Sequence, residues 1–283
     1  MSILSANTLF HFTKLEFLEQ ILEHGFWPRY SEEILFDGIA NEEGFRMHVP
    51  MVCFCDIPLT RIEKHQEVYS NYGIGLTKEW GIANQLNPVF YVQHEAPPVT
   101  GALLYIFLAF FNRILGNKKF KLDLKNMLDK DKAPTLPVNI EVETITKDVE
   151  SNPYLSYFFN FLKLGYLPYI KAFKGNSFRG ISDYSYYDEK EWRFIPSLDV
   201  EKIIEFGFES DTELELANEL LKVNMLTFKP NDIKYLILEN ENEIESLREA
   251  LKSIHGRTGK YPTEVVDVLT ARIITCKQIR EDF

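Results

Sequence analysis

The residue types that could do chemistry are most concentrated in residues 187–196, which read YDEKEWRFIP. If this segment is a strand, residues i and i+2 share a face, so Glu189, Glu191 and Arg193 point into the same space. Two carboxylates placed in this way can bind a ribose and polarise a departing base. The alternative is an edge strand with two solvated acids, because charged side chains are mostly exposed. Because Arg193 shares the face of both acids, it would hold Glu191 in a salt bridge or contact a phosphate bidentately.

Motifs for several other kinds of site are missing. The six histidines are scattered without an H-E-x-x-H motif, and Cys53 and Cys55 form C-x-C without a second pair, so no metal site is expected. The chain also lacks the phosphate loop G-x-x-x-x-G-K-[ST], a G-x-G-x-x-G turn and the G-x-S-x-G elbow. These absences argue against a simple ATPase, a Rossmann dehydrogenase and an α/β-hydrolase.

The overall composition predicts a folded, acidic protein. The chain has 283 residues, of which 45% are hydrophobic, and its formal net charge is −11. This charge argues against broad adhesion to nucleic acid or anionic membranes. Three cysteines and no recognisable secretory signal favour a cytoplasmic location. The apolar run at 102–111 is about half the roughly 20 residues of a membrane span, so a buried helix is expected there and no membrane role.

The elements expected around these residues alternate between strands and helices. A strand over 8–12 carries His11, and Thr13 with Glu16 has the S/T-x-x-E form that opens a helix over about 14–24. Further strands are expected at 49–55, 191–195, 233–238 and near 268–275. Residues from about 101 to 165 show helix-like apolar runs. The chain is therefore predicted to be a single α+β domain, 1–283, with a helical insertion at about 101–165.

The order of these motifs resembles the ADP-ribosyltransferase superfamily, in which a split β-sheet with flanking helices holds NAD. The wording of several segments also resembles the AbiGi family of abortive phage-infection proteins. The match includes Leu9–Thr13, the segment VPMVCFCDIPL, the segment YGIGLTKEW and the segment YDEKEWRFIP. It covers most of the chain outside the insertion.

The resemblance to the transferases implies a set of NAD contacts. His11 would hydrogen-bond a hydroxyl of the adenosine ribose, and Thr13 or its neighbouring amides would face the phosphate or ribose at a helix end. Tyr72 would stack against nicotinamide, and Arg193 would contact a phosphate if it is not in a salt bridge. A half-buried structural histidine and a plain turn tyrosine are the alternatives for His11 and Tyr72.

The same resemblance implies catalytic roles for the two glutamates. Glu191 would accept a hydrogen bond from the 2′-hydroxyl of the nicotinamide ribose and stabilise the positive centre that forms as nicotinamide leaves. Glu189 would orient or deprotonate the acceptor, with a solvated glutamate as the equal alternative.

Three functions follow from these expectations. The first is an NAD-dependent ADP-ribosyltransferase toxin of a phage-defence or toxin–antitoxin system, with NAD as its substrate and a protein or nucleic acid as its target. The alternative is a non-catalytic antitoxin or partner-binding protein, because AbiGi proteins are named as the antitoxin half of a pair and an acidic surface suits a basic partner. A further alternative is an NAD hydrolase, in which water replaces the macromolecular acceptor.

Overall fold

The computed structural model describes residues 7–35, 45–93, 153–175, 181–199, 202–205 and 207–282. In these ranges the chain is a mixed α+β structure, as predicted, built on an eight-stranded mixed sheet. The strands are β1 (Thr8–Thr13), β2 (Arg29–Leu35), β3 (Phe45–Cys55), β4 (Tyr72–Thr77), β5 (Asn87–Pro88), β6 (Phe90–Val92), β7 (Ile170–Ala172), β8 (Lys174–Gly175), β9 (Tyr184–Ser185), β10 (Glu191–Phe194), β11 (Ile233–Leu238) and β12 (Ile273–Thr275).

The α-helices of the described residues lie between and after these strands. They are α1 (Leu15–His24), α2 (Glu63–Val68), α3 (Lys78–Ala83), α4 (Pro153–Gly165), α5 (Asp211–Leu220), α6 (Ile244–Thr258), α7 (Thr263–Thr270) and α8 (Cys276–Asp282). No helix in the described ranges is both long and apolar enough to cross a membrane.

The large sheet has the strand order β12-β11-β4-β1-β3-β10-β5, and β2 pairs with β3 outside this path. All its pairs are antiparallel except β11 with β12. Strand β3 is 11 residues long, so it has room to pair with β2 along 45–51 and with β10 along 52–55. Its partnership with β1 is limited to one register position, where Phe10 lies opposite Cys55.

The predicted strand and helix at the start of the chain are confirmed. Leu18, Ile21 and Leu22 of α1 are buried, as their helical spacing predicts, and Gly25 ends the helix with a φ of 99°. The predicted cap is wrong, because Thr13 is the last residue of β1 and Lys14 takes the N-cap position without a side-chain bond.

Two glycines let neighbouring groups approach strand β4 closely. A Cβ at Gly75 would lie 2.8 Å from the Phe10 ring, and a Cβ at Gly73 would lie 2.9 Å from the His11 carbonyl oxygen. The sequence predicts close approach by a ligand or a backbone at these glycines. In the structure the Phe10 ring approaches Gly75, and the Phe12 ring and the backbone of β1 approach Gly73.

Each face of the sheet carries a hydrophobic cluster. Residues opposite each other in an antiparallel pair point to the same face. Cys55 is opposite Phe10 on one side and Glu191 on the other, and Cys53 is opposite Arg193. These side chains therefore lie on one face of the sheet. Their neighbours in sequence point to the other face, which holds the larger cluster.

Three sequence predictions require correction or restriction. Glu189 lies in a 3₁₀ turn, Tyr186–Glu189, and not on the strand, because Lys190 takes a left-handed conformation with a φ of 48°. The strand expected near 268–275 is limited to β12, because residues 268–270 end helix α7 and residues 271–272 form a turn. Most of the predicted insertion at 101–165 lies outside the described residues, and its final part is helix α4.

Candidate functional site

A cavity lies where β1 and β3 separate. Beyond the position of Phe10 and Cys55 the two strands have no further backbone pairing, and the His11 side chain bridges them instead. The Nδ1 atom of His11 is 2.8 Å from the carbonyl oxygen of Cys53, so Nδ1 carries the proton and Nε2 is left as an acceptor.

The volume of this cavity is about 1060 Å³. Its walls come from β1, α1, the start of β2, β3, the end of α2 and the segment after α5. Aromatic and basic side chains are well represented among its lining residues, and none of the described residues that line it is an aspartate or glutamate. The lining includes His11, Thr13, Phe17, His24, Phe26, Trp27, Arg29, Ser31, Cys53, Tyr69 and Lys222.

A buried cluster of five charged side chains adjoins this cavity. Glu191 accepts a 2.6 Å bond from Nε of Arg193 on one oxygen and a bond from Lys171 on the other. Lys171 also donates to Glu189 at 3.0 Å, and Arg193 donates to Glu33 at 2.6 Å. These contacts join β2, β7, β10 and the turn before β10.

Further hydrogen bonds surround the cluster. Tyr69, which lines the cavity, donates a 2.7 Å hydrogen bond to Oε1 of Glu189. Arg193 donates to the carbonyl oxygen of Pro168 at 2.7 Å, and the backbone N–H of Glu191 donates to the Tyr91 hydroxyl at 2.7 Å. Every carboxylate oxygen of Glu189 and Glu191 therefore has a partner.

Burial and opposite charge together set the protonation of this cluster. Burial alone would raise the pKa of Glu191, but the charges of Arg193 and Lys171 outweigh it and hold that pKa well below its ordinary range. Burial raises the pKa of Glu33 more than Arg193 and Lys171 lower it. The pKa values of Glu33 and Glu191 are therefore shifted in opposite directions, although both groups bond to Arg193.

His11 lies on the opposite face of the sheet from the ion cluster. Its ring packs at 5.1 Å from Phe26 and 5.6 Å from Phe54, both in the larger hydrophobic cluster. Burial lowers the pKa of His11, although its bond to Cys53 acts in the other direction. His11 is thus a neutral side chain at the cavity wall.

The structure brings together some of the predicted residues and separates others. His11 and Thr13 line the cavity, whereas Glu189, Glu191 and Arg193 form the ion cluster on the other side of Tyr69 and Cys53. The predicted salt bridge between Arg193 and Glu191 is present.

Tyr72 is held away from both groups. It is opposite Thr13 in the sheet, but its hydroxyl lies 3.3 Å from Glu239 and 2.8 Å from Glu243, and it does not line the cavity. Burial, together with its bond to Glu243, raises the pKa of Tyr72. In the described part of the chain, no group of three or more potential ligands is arranged to hold a metal ion.

Sequence reasoning missed two members of the cluster. Lys171 lies in the apolar stretch YIKAF, and a lysine within a buried strand is a signal of a buried carboxylate partner. Glu33 gives no such signal, because the pattern of β2 does not distinguish it from its exposed neighbour Glu32.

Comparison with known proteins shows that the chain is similar to phage resistance proteins. The family model described as "Putative abortive phage resistance protein AbiGi, antitoxin" matches residues 26–239. The abortive phage resistance protein AbiGi of Lactococcus lactis subsp. cremoris is 24% identical over 277 residues, which cover 91% of this chain and 99% of that protein. No solved structure matches the chain.

These findings correct the predicted function. The matched family is described as an antitoxin, so the prediction of an NAD-dependent ADP-ribosyltransferase toxin is wrong. The macromolecular target predicted for that enzyme has no support either. The description fits the alternative of an antitoxin or partner-binding protein.

Proposed function

Because the chain belongs to the AbiGi family of abortive phage resistance proteins, we propose that it is a non-catalytic antitoxin that binds and neutralises a cognate toxin protein. The description of the family as an antitoxin supports this role, and the similarity to the lactococcal protein extends over nearly its full length. The chain therefore acts in antiviral defence by holding a partner inactive.

The observation that carries this proposal is the complete pairing of the two candidate catalytic acids. A general acid or base needs a carboxylate oxygen within reach of the substrate. Glu189 is 3% exposed and Glu191 is 4% exposed, and their oxygens are bonded to Lys171, Arg193 and Tyr69. Such a cluster fixes β10 and the preceding turn against β2 and β7, which is a structural role.

The acidity of the chain favours a basic protein partner. With 42 acidic and 31 basic residues, the long-range field of the molecule attracts cations and speeds encounter with a positively charged surface. The same field opposes binding to nucleic acid, so neutralisation by direct contact with the toxin is the simplest mechanism.

The proposal is tested by isolating the chain with its toxin. The cognate toxin is identified as the protein whose expression alone arrests growth and whose effect the wild-type chain relieves. We expect a stable complex in which the toxin is inactive. His11→Gln and Thr13→Ala should neutralise the toxin as well as the wild type does, because these residues belong to the cavity. Failure of the wild-type chain to form a complex or to relieve growth arrest contradicts the proposal.

We further propose that the cavity between β1 and β3 binds a nucleotide such as NAD as a ligand, and that the separation of these strands is the split of an ADP-ribosyltransferase-like sheet. The support is a cavity of about 1060 Å³ with aromatic walls, in which the described lining residues include no carboxylate. His11 and Thr13 fit as contacts to such a ligand. Tyr72 and Arg193 do not, because Tyr72 lies outside the lining and Arg193 is fully buried.

Calorimetric titration of NAD into the purified chain tests this second proposal without reference to turnover. Binding that weakens in His11→Ala, and that is unchanged in the control Tyr72→Phe, supports the cavity as the site. No heat of binding with the folded wild-type chain contradicts it and leaves the antitoxin proposal intact.

A further inference from the structure

The outer face of helix α5 presents apolar side chains that the fold does not use. Leu216 is 63% exposed, Leu220 is 73% exposed, and Val223, just after the helix, is 87% exposed. At about 100° per residue these three positions fall within a stripe roughly 60° wide. Single exposed apolar residues are common, but three in one stripe indicate a surface that is covered by another molecule.

The opposite face of α5 already packs against the protein. Asn218 and Leu221 are buried there, and the Asn218 side chain accepts a 2.8 Å bond from the backbone N–H of Tyr30, while its carbonyl oxygen accepts a 2.9 Å bond from the Trp27 indole. The helix is thus anchored by its inner face. The outer stripe of Leu216, Leu220 and Val223 takes no part in this packing.

The charges around this outer stripe determine which partner it suits. Between residues 203 and 221 the sequence has six carboxylates and no lysine or arginine. Lys202 and Lys222 flank this range, and Lys222 donates a 2.7 Å bond to Glu219, so the segment keeps an excess of negative charge. Glu213 and Glu219 lie about 60° to either side of Leu216 on the helix, so they border the stripe. An apolar centre with an acidic border is complementary to an apolar segment flanked by lysine or arginine.

These charges argue against the other occupants of such a surface. A second copy of the chain would bring two segments with six carboxylates each into contact, and like charges at an interface oppose association. Nucleic acid and anionic membranes are repelled for the same reason.

We propose that the outer stripe of α5, consisting of Leu216, Leu220 and Val223 with the bordering Glu213 and Glu219, is the surface on which the cognate toxin docks through a basic, partly apolar segment. This inference rests on the antitoxin function proposed above and names the surface that performs it. The leucines supply the desolvated centre of the contact, and the glutamates orient the basic segment and exclude wrong partners.

The test replaces both leucines by glutamine, which keeps the helix propensity and the net charge. Affinity for the cognate toxin, identified by growth arrest as above, is measured by calorimetry or surface plasmon resonance. In Leu216→Gln/Leu220→Gln the Kd should rise at least roughly 30-fold, the loss typical of an interface hot spot. Ile82→Gln on α3 is the matched control, because Ile82 is 62% exposed and lies on another helix.

Two further readouts separate docking from a folding defect or self-association. Circular dichroism and thermal unfolding should match those of the wild type, because both leucines are exposed. The wild-type Kd should rise as NaCl is added, because salt screens the acidic border. The oligomeric state is measured by light scattering, and a wild-type dimer that dissociates in the double variant would make the stripe a self-interface and overturn the proposal.

The remaining outcomes distinguish this inference from the function on which it rests. If the double variant binds and neutralises the toxin as well as the wild type does, the docking surface is elsewhere and the antitoxin function stands. If the wild type itself neither binds nor neutralises any toxin, the antitoxin function fails and this inference fails with it.

Discussion

Replacing Glu191 by glutamine removes one charge from the buried ion cluster and keeps the size of the side chain. In the wild type, Glu191 bonds to Lys171 and Arg193, whose side chains are 10% and 0% exposed. The variant leaves both cations with one fewer counter-charge at a largely buried site. Breaking a buried ion pair in this way typically costs about 3–5 kcal/mol.

The structure favours the lower end of that range. Arg193 keeps its bond to Glu33 and Lys171 keeps its bond to Glu189, so each cation retains one carboxyl partner. We therefore expect Glu191→Gln to lower the free energy of unfolding by about 3 kcal/mol. At ~2–4 °C per kcal/mol, this lowers the melting temperature by roughly 6–12 °C.

The assay is urea unfolding followed by circular dichroism, with Glu32→Gln as the matched control. Glu32 is the neighbour of Glu33 on β2, and it pairs with Arg46 at 2.8 Å, but their side chains are 38% and 47% exposed. An exposed pair of this kind contributes less than about 1 kcal/mol. If Glu191→Gln lowers the free energy of unfolding no more than Glu32→Gln does, the cluster does not stabilise the fold. The structural role of Glu191 is then refuted.

Two more properties of the fold can be measured in the same way. Burial, with the charge of Lys171, lowers the pKa of His65 from its ordinary value of 6.5 to about 3. As the pH falls, the imidazole of His65 is therefore protonated in the unfolded chain before it is protonated in the folded one. The free energy of unfolding should fall by up to about 1.4 kcal/mol per pH unit between pH 6.5 and 4.5. The urea midpoint should depend less steeply on pH in His65→Gln than in the wild type. The control is His24→Gln, whose imidazole is exposed and whose pH dependence should match that of the wild type. Equal slopes in the wild type and both variants would contradict the role of His65 in this pH dependence. Gly75→Ala should cost about 1–3 kcal/mol, because its Cβ would meet the Phe10 ring at 2.8 Å. Gly256→Ala, in open space within α6, should instead stabilise the chain by up to about 1 kcal/mol in thermal unfolding; a stabilised Gly75→Ala would show that the ring is not packed on that strand.

Local patterns predicted the local elements well. The spacing of Leu18, Ile21 and Leu22 with Gly25 after them was sufficient for helix α1. The helix α5 was missed, although Ser210 followed by Glu213 has the S-x-x-E form. In the structure Ser210 caps that helix by accepting a bond from the Glu213 N–H at 3.2 Å.

The arrangement of the candidate site could not be read from local patterns. The shared face predicted for Glu189 and Glu191 assumed an unbroken strand, and the left-handed Lys190 interrupts it. The two acids nevertheless meet at Lys171, which comes from β7, about 20 residues earlier in the chain. Such contacts depend on how the strands are ordered in the sheet, and no residue spacing specifies that order.

Growth of cells that express this chain alone, and together with its cognate toxin, tests the central claim most directly. The account predicts normal growth with the chain alone, growth arrest with the toxin alone, and restored growth when both are present. Arrest of growth by the chain alone, with relief by a second protein, would show that the chain is the toxic member of the pair and would contradict the account.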